Sequence, residues 1–446
     1  MTPADALDLA GAGQALYRKA RTLIPGGTQL LSKRPERFLP ELWPAYYSKA
    51  QGASVWGLDG RAYLDMSLLG VGACVLGYAD PDVDAAVTQA VRNGSMCTLN
   101  CPEEVELAGL LCALHPWARM ARFARGGGEA MAMAVRIARA YTRREHIAFC
   151  GYHGWHDWYL AANLSDTEAL DGHCLPGLEP AGVPRGLRGT AHPFRYNDLE
   201  GLRPIVEQWS GQLAAIIMEP ARSTGPQPGF LEGVRELATR AGAVLIFDEV
   251  TSGWRMGDGG IHVQYGVAPD MAVFAKALGN GYPMAAVIGV EPVMQAAQAS
   301  FISSTSWTER IGPTAALAMI QKFRRLSVAQ RLIELGQRVQ AGWTDAARRH
   351  GLPAHAAGIP PLSHLVFESE QPAALETLFT QWMLDQDILA SPQFTACYAH
   401  RDEDVARYLD AVDQVFSRIA RAIEQETVEA SLRGPVRQPG FQRLTS

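Results

Sequence analysis

Lys276 and Asp248 each close an apolar, strand-like run: Asp270-Met271-Ala272-Val273-Phe274-Ala275-Lys276 and Val244-Leu245-Ile246-Phe247-Asp248. Runs of this kind are buried on both faces of a parallel sheet. A lysine at the end of a buried strand is costly unless it does work there. Schiff-base formation is one such use, because burial lowers a lysine pKa from its solution value of about 10.4. A carboxylate at the end of a nearby strand then suits a cationic ring nitrogen. This pair points to pyridoxal phosphate, whose electron-sink chemistry needs a lysine amine and an acidic partner for the pyridinium.

Other residues are candidates around that pair. Gly126-Gly127-Gly128 stands between a short strand and a helix. Glycines there let backbone N–H groups approach an anion, and the helix dipole favours negative charge. By itself a triple glycine is more often a flexible turn. It is neither a GxGxxG nor a GxxxxGK[ST] loop. Tyr152-His153-Gly154-Trp155-His156-Asp157-Trp158 follows another strand, where aromatics stack on a planar cofactor or simply pack. His153, His156 and Asp157 lack the further acid or HExxH helix of a metal site, so no metal is expected. Glu219-Pro220 ends a strand, and Arg222 follows as either an anion contact or an exposed arginine. Asp248 and Glu249 are adjacent and point to opposite sides. No second acidic strand suggests a glycosidase, and no GxSxG elbow a serine hydrolase.

Positioning these groups requires an α/β sheet. Strands are expected at 121–123, 146–150, 213–218, 243–247 and 271–275, with helices at 81–93, 103–114, 129–141 and 233–241. The alternation argues for a mainly parallel sheet. Ahead of it, a helix at 6–23 leads to a hairpin region at 45–65. Residues 163–190 are rich in Gly and Pro and long for a connection, as functional lids and disordered loops are. Beyond 314 the chain reads as helices at 314–326, 327–349 and 403–426 with a short strand at 363–367. The expected domains are an N-terminal segment, 1–80, a large domain, 81–313, and a C-terminal small domain, 314–446.

Composition narrows the class. The chain has 446 residues, 48% of them hydrophobic and 19% charged, as in a compact soluble enzyme. A formal net charge of −6 gives no basic field for nucleic acid or anionic lipid. No apolar run approaches the roughly 20 residues of a membrane span. The N-terminus lacks a signal-peptide pattern, so the expected compartment is the cytoplasm. Seven scattered cysteines, without a CxxC pair, read as reduced thiols.

Taken in order, the motifs resemble a family. Ile24-Pro25-Gly26-Gly27, Val55-Trp56-Gly57-Leu58-Asp59-Gly60, Gly127-Gly128-Glu129-Ala130, Tyr152-His153-Gly154, Glu219-Pro220, Asp248-Glu249-Val250 and Lys276-Ala277-Leu278-Gly279-Asn280-Gly281 are similar to class-III aminotransferases of pyridoxal-phosphate fold type I. The glutamate-1-semialdehyde aminomutase branch is the most similar. The resemblance runs from about Tyr17 to Leu409. It implies a large domain with a mainly parallel seven-stranded sheet, and a smaller α+β domain built from both ends of the chain.

The resemblance also implies roles. Lys276 holds the cofactor as an internal aldimine and moves protons between substrate carbons. Asp248 pairs with the pyridine nitrogen. Val250 and Tyr152 sandwich the ring, with His153 and Glu219 in the same cofactor set. Gly127 and Gly128 bind the phosphate. A threonine of the neighbouring subunit completes that site: Thr308 has the better spacing, and Thr305 is the alternative. A homodimer with composite active sites follows.

This chain also departs from the family. Gly126-Gly127-Gly128 replaces a Ser/Thr-containing loop, and Arg125 stands where a neutral residue is usual. In the aminomutases an arginine after the early Pro-Gly-Gly meets the substrate carboxylate; Lys33 and Arg34 lie near that place here, but the intervening residues differ. No acidic residue precedes Ala399-His400. The expected activity is transfer of an amino group between an amine or amino-acid donor and a carbonyl acceptor. The alternatives are an intramolecular aminomutase, an epimerase, or a catalytically weak regulatory protein on the same fold. Trp155, Trp158, Trp254 and Trp307 are either pocket walls for an extended substrate or core.

Overall fold

The computed structural model describes residues 11–438, apart from 174 and 222. Arg222 therefore lies outside the described residues, as does the first part of the expected helix at 6–23. The chain forms two compact units: residues up to 80 together with 331 onward, and residues 81–330.

The first unit opens with helix α1 (Gly11–Leu23) and strands β1 (Tyr47–Gln51), β2 (Ser54–Gly57) and β3 (Ala62–Asp65). They form an antiparallel meander in the hairpin region expected from sequence.

The second unit holds strands β4 (Met120–Ala124), β5 (His146–Cys150), β6 (Ala191–Pro193), β7 (Leu213–Met218), β8 (Val244–Asp248), β9 (Met271–Phe274) and β10 (Ala285–Gly289). They form one seven-stranded sheet in the order β4-β10-β9-β8-β7-β5-β6. Only β10 runs against its neighbours; the pairs β6-β5, β5-β7, β7-β8 and β8-β9 are parallel. Every residue of β7 and β8 is buried, which explains why these runs are apolar without alternation. Each such Val, Leu, Ile or Phe contributes about 1.5–3 kcal/mol.

Helices α2 (Pro81–Arg92), α3 (Pro102–Leu114), α4 (Gly127–Thr142), α5 (Leu199–Gln208), α6 (Phe230–Ala241) and α7 (Ile311–Arg325) complete the second unit. One core, with α4 residues Ala130, Met131, Ala134 and Ile137, covers one set of strand side chains; a second, with α6 residues Phe230, Val234 and Leu237, covers the other. The second unit continues past 313. Helix α7 buries Met319, Ile320 and Phe323, and its Lys322 and Arg325 pair with Asp82 of α2. Residues 163–190 carry short helical turns, and Asn163 pins the segment by bonding Leu170 N and the Leu178 carbonyl.

Within helix α8 (Val328–His350) the chain returns to the first unit, and strands β11 (Ala354–Ala357), β12 (Leu362–Phe367), β13 (Ile388–Leu389) and β14 (Gln393–Thr395) follow. Helices α9 (Pro372–Leu384) and α10 (Asp402–Glu424) accompany them. β13 pairs in parallel with β3, which joins chain segments far apart in sequence into one sheet.

Strand direction positions the chemistry. The parallel strands β5, β7, β8 and β9 end on one edge of the sheet, and so does β4. Open α/β sheets bind ligands at that edge. Tyr152, Glu219, Lys276 and the glycine turn follow these strand ends, and Asp248 closes β8.

Three histidines of this unit, His115, His173 and His192, are pushed down to about 4, chiefly by burial. In the unfolded chain each takes up its proton near pH 6.5. Their neutral burial therefore contributes full stability above about pH 6.5, and that contribution is lost as pH falls toward the folded values. We predict a melting temperature that declines from pH 6.5 to 4; a flat profile over this window would contradict the buried, neutral histidines.

Candidate active site

Asp248 is the last residue of β8 and is 3% exposed. Its Oδ2 lies 2.8 Å from His153 Nδ1, and its Oδ1 accepts from the Val250 N–H at 3.0 Å. His153 Nε2 donates to the Cys150 carbonyl at 3.1 Å. Both ring nitrogens thus face oxygen acceptors, Asp248 Oδ2 on one side and the Cys150 carbonyl on the other. Each carboxylate oxygen keeps a second lone pair for a further donor.

Glu249 turns the other way and is fully buried. Its Oε1 accepts from His262 N at 3.0 Å and from His262 Nδ1 at 2.7 Å, and the Ser252 hydroxyl bonds Oε2. Trp117 Nε1 donates to His262 Nε2 at 3.0 Å. Burial raises the Glu249 pKa, but these hydrogen bonds outweigh it and hold the carboxyl below its ordinary range. The network pins the loop after β8 from behind, opposite to Asp248.

Lys276 follows β9 after one residue, with a left-handed backbone at φ +49. That conformation costs a non-glycine residue of order 1–3 kcal/mol and marks functional positions. Its Nζ donates to Thr251 Oγ1 at 2.8 Å. Sequence reasoning missed Thr251; the only signal was its place directly after Asp248-Glu249-Val250.

The glycine turn opens α4. Glu129 accepts from the N–H groups of Gly126 at 2.9 Å and Arg125 at 3.1 Å, one half of a capping box. The Gly127 and Gly128 N–H groups, in the first turn, have no carbonyl within the helix to receive them. A Cβ on Gly127 would meet Val250 Cγ1 at 3.0 Å and Ala275 Cβ at 3.6 Å. A Cβ on Gly154 would come within 3.0 Å of the Gly128 Cα. The glycines therefore let three loops close on one another beside Val250 and Lys276. Tyr152 is partly exposed; its N–H donates to Glu219 Oε2 at 3.2 Å, and its ring meets Tyr159 edge-on.

Arg125, beside this turn, is engaged with the 305–310 segment. Its guanidinium pairs with Glu309 at 2.7 Å and donates to the carbonyls of Trp307 at 2.9 Å and Glu309 at 2.7 Å. Glu309 in turn accepts from the N–H groups of Ile311 at 2.6 Å and Gly312 at 3.0 Å at the start of α7. Arg125 is thus a latch on the 305–310 turn. Thr308 and Thr305 are exposed there, and the Thr308 hydroxyl donates to the Thr305 carbonyl at 2.9 Å.

The tryptophans separate. Trp254 is fully buried and Trp158 nearly so, whereas Trp155 is 70% exposed and stacks on His156. A cavity of about 480 Å³ lies beside α4 between Arg136, Arg139, Trp155 and Trp158, away from Lys276 and Asp248. His153 and His156 diverge, one to Asp248 and one to Gly128. Among the described residues no group of three or more His, Cys, Asp or Glu side chains could hold a metal ion. None of the helices among them is long and apolar enough to cross a membrane.

The second unit thus brings together an amine, a buried carboxylate and a glycine turn whose first N–H groups have no acceptor within the helix. These fit the three polar parts of pyridoxal phosphate: aldehyde, ring nitrogen and phosphate.

Comparison with known proteins agrees. The sequence profile of class-III aminotransferases matches residues 40–358. The chain is 31% identical to a 3-aminobutyryl-CoA aminotransferase of Cloacimonas acidaminovorans (strain Evry), over 92% of this chain and 97% of the relative. It is also 31% identical to a glutamate-1-semialdehyde 2,1-aminomutase of Brevibacillus brevis, over 90% of this chain and 97% of that protein. The FumI protein of Sphingopyxis sp. MTA144, solved with pyridoxal phosphate as an internal aldimine, superposes with a TM-score of 0.83 at 25% identity. That match covers 92% of this chain and 97% of FumI.

Gly127→Ala should push Val250 aside and weaken pyridoxal phosphate binding about tenfold, roughly 1.4 kcal/mol. Absorbance titration of the cofactor checks this; unchanged affinity would contradict the close approach of Gly127 to Val250.

Proposed function

The chain belongs to the class-III aminotransferases, enzymes dependent on pyridoxal phosphate, and from that premise we propose that Lys276, Asp248 and the Gly127-Gly128 turn form its working centre. When bound, the cofactor supplies an aldehyde for amine exchange and a ring that draws electrons from the substrate carbon. Lys276 would hold the cofactor through its Nζ and would carry a proton between carbon atoms of the substrate. Asp248 holds a proton on the ring nitrogen, and His153 keeps the carboxylate aligned for that bond. Gly127 and Gly128 N–H groups hold the phosphate, while Val250 and Tyr152 flank the ring. Glu219 fixes the backbone of Tyr152.

The observation that carries this reading is the convergence of Lys276, Asp248 and Gly127 around Val250 and Thr251.

The reading includes a homodimer in which Thr308 of one subunit reaches the phosphate of the other. Thr308 is exposed on a turn that is fastened from two sides. Arg125 holds it from one side; Arg310 bonds the Ser95 carbonyl and pairs with Glu103 from the other. Met96, Leu99 and Phe301, on the segments so joined, are exposed, Phe301 at 89%. Large apolar side chains left in water around a rigid turn fit a subunit interface.

We read the reaction as amino transfer from an amine or amino-acid donor to a separate carbonyl acceptor. The aminomutase relatives support a second reading, an amino shift within one molecule. A half-reaction screen separates them. With transfer, an amine donor alone shifts the cofactor absorbance, and a carbonyl acceptor restores it. Product formed from one substrate with no acceptor would overturn transfer in favour of the internal shift.

Two substitutions test the roles. Lys276→Ala should abolish turnover, and Asp248→Asn should slow proton abstraction by about 10²–10³-fold, as loss of a major electrostatic contact does. An unchanged half-reaction rate in Asp248→Asn would contradict the ring-nitrogen role.

A further inference from the structure

The hydroxyl of Thr251 is absorbed by none of the roles above, yet it touches the one side chain that must move a proton. Lys276 Nζ donates to Thr251 Oγ1 at 2.8 Å. The hydroxyl is well anchored. Threonine is β-branched and stiff at χ1. The Thr251 carbonyl accepts from Arg255 Nε at 3.3 Å, and the preceding Val250 N–H is tied to Asp248 Oδ1. Behind the same loop, Ser252 and His262 hold Glu249. Thr251 Oγ1 therefore has a fixed place relative to Asp248.

The backbone of Lys276 is equally constrained, because its left-handed φ is compatible with few alternatives. A rigid base still leaves four methylenes free to rotate. An amine that wanders cannot return a proton to the right carbon. A hydroxyl suits the task because it both accepts and donates. It accepts from the lysine when Nζ is an ammonium, and donates to Nζ when the amine is neutral. A carboxylate at that place would hold only the charged form, and an alkyl group neither.

We propose that Thr251 is a positioning residue that keeps Lys276 Nζ aligned through both of its protonation states during proton transfer. The step is balanced by itself: one proton arrives at Nζ from carbon and the same proton leaves to carbon, with no oxidant or reductant. This proposal rests on the reading of Lys276 as the proton carrier.

The test compares Thr251→Val, which keeps the shape and removes the hydroxyl, with Thr251→Ser, which restores the hydroxyl. The first readout needs no substrate: the pH at which the absorbance of the bound cofactor converts in the holoenzyme. The hydroxyl bonds both forms, but its bond to the charged form is the stronger, so Thr251→Val should move the midpoint to lower pH by about half a unit or more. Thr251→Ser should return it to the wild-type value. The second readout is the half-reaction rate with the amine donor chosen by the screen above. It should fall about tenfold in Thr251→Val, the worth of one hydrogen bond, with KM within about twofold, and recover in Thr251→Ser.

Wild-type behaviour of Thr251→Val in both readouts would overturn the proposal. Equal impairment of Thr251→Ser and Thr251→Val would overturn it as well, since the methyl and not the hydroxyl would then matter. A cofactor attached through another lysine would instead defeat the reading of Lys276, and it would show as retained covalent attachment in Lys276→Ala.

Discussion

Asp248 must keep its carboxylate out of water, and the rest of the site is arranged around that constraint. An ion buried without replacement hydrogen bonds loses several kcal/mol. His153 Nδ1 and the Val250 N–H supply the replacements. To deliver His153, the chain leaving β5 has to bend sharply, and it does so at Gly151 and Gly154, both at positive φ. Gly154 then lies against the Cα of Gly128. The buried carboxylate, the aromatic loop and the glycine cradle are therefore fixed by one set of contacts.

The adjacent acids divide the work by strand geometry. Successive residues of a strand point to opposite faces. Asp248 points to His153 and the Val250 N–H, and Glu249 points into a closed network with His262, Ser252 and Trp117. That network makes the loop after β8 rigid, so Val250 and Thr251 hold their places without help from a ligand. A comparable device fastens the 305–310 turn. Arg125 binds that turn through Glu309 and two carbonyls. Gly126, Gly127 and Gly128 carry no side-chain hydroxyl, so backbone N–H groups are the only donors this turn can offer. Arg125 stiffens the surroundings of the glycine turn.

Much of this was legible in the sequence, for identifiable reasons. β5 and β7 match their expected bounds because a strand buried on both faces is an unbroken apolar run between polar residues. Lys276, Asp248 and the glycines stood out because each is an unusual residue at a strand end. Short or interrupted elements did not stand out. β6 has three residues and ends in proline, β13 has two, and β10 is an Ala/Gly-rich strand between loops. Helix α5 was hidden by Pro204 in its interior. The contacts of Thr251 with Lys276 and of Arg125 with Glu309 join residues distant in sequence, and nothing in local pattern encodes them. The tryptophans show the same limit. Trp254 and Trp155 look alike in sequence, yet one is sealed in the core and the other stands in solvent.

The central claim is that the lysine after β9 is the attachment point of the cofactor. Borohydride reduction of the holoenzyme, followed by proteolysis and peptide mapping, tests it most directly. The account predicts the pyridoxyl label on the peptide that contains Lys276. A label on any other lysine would contradict it.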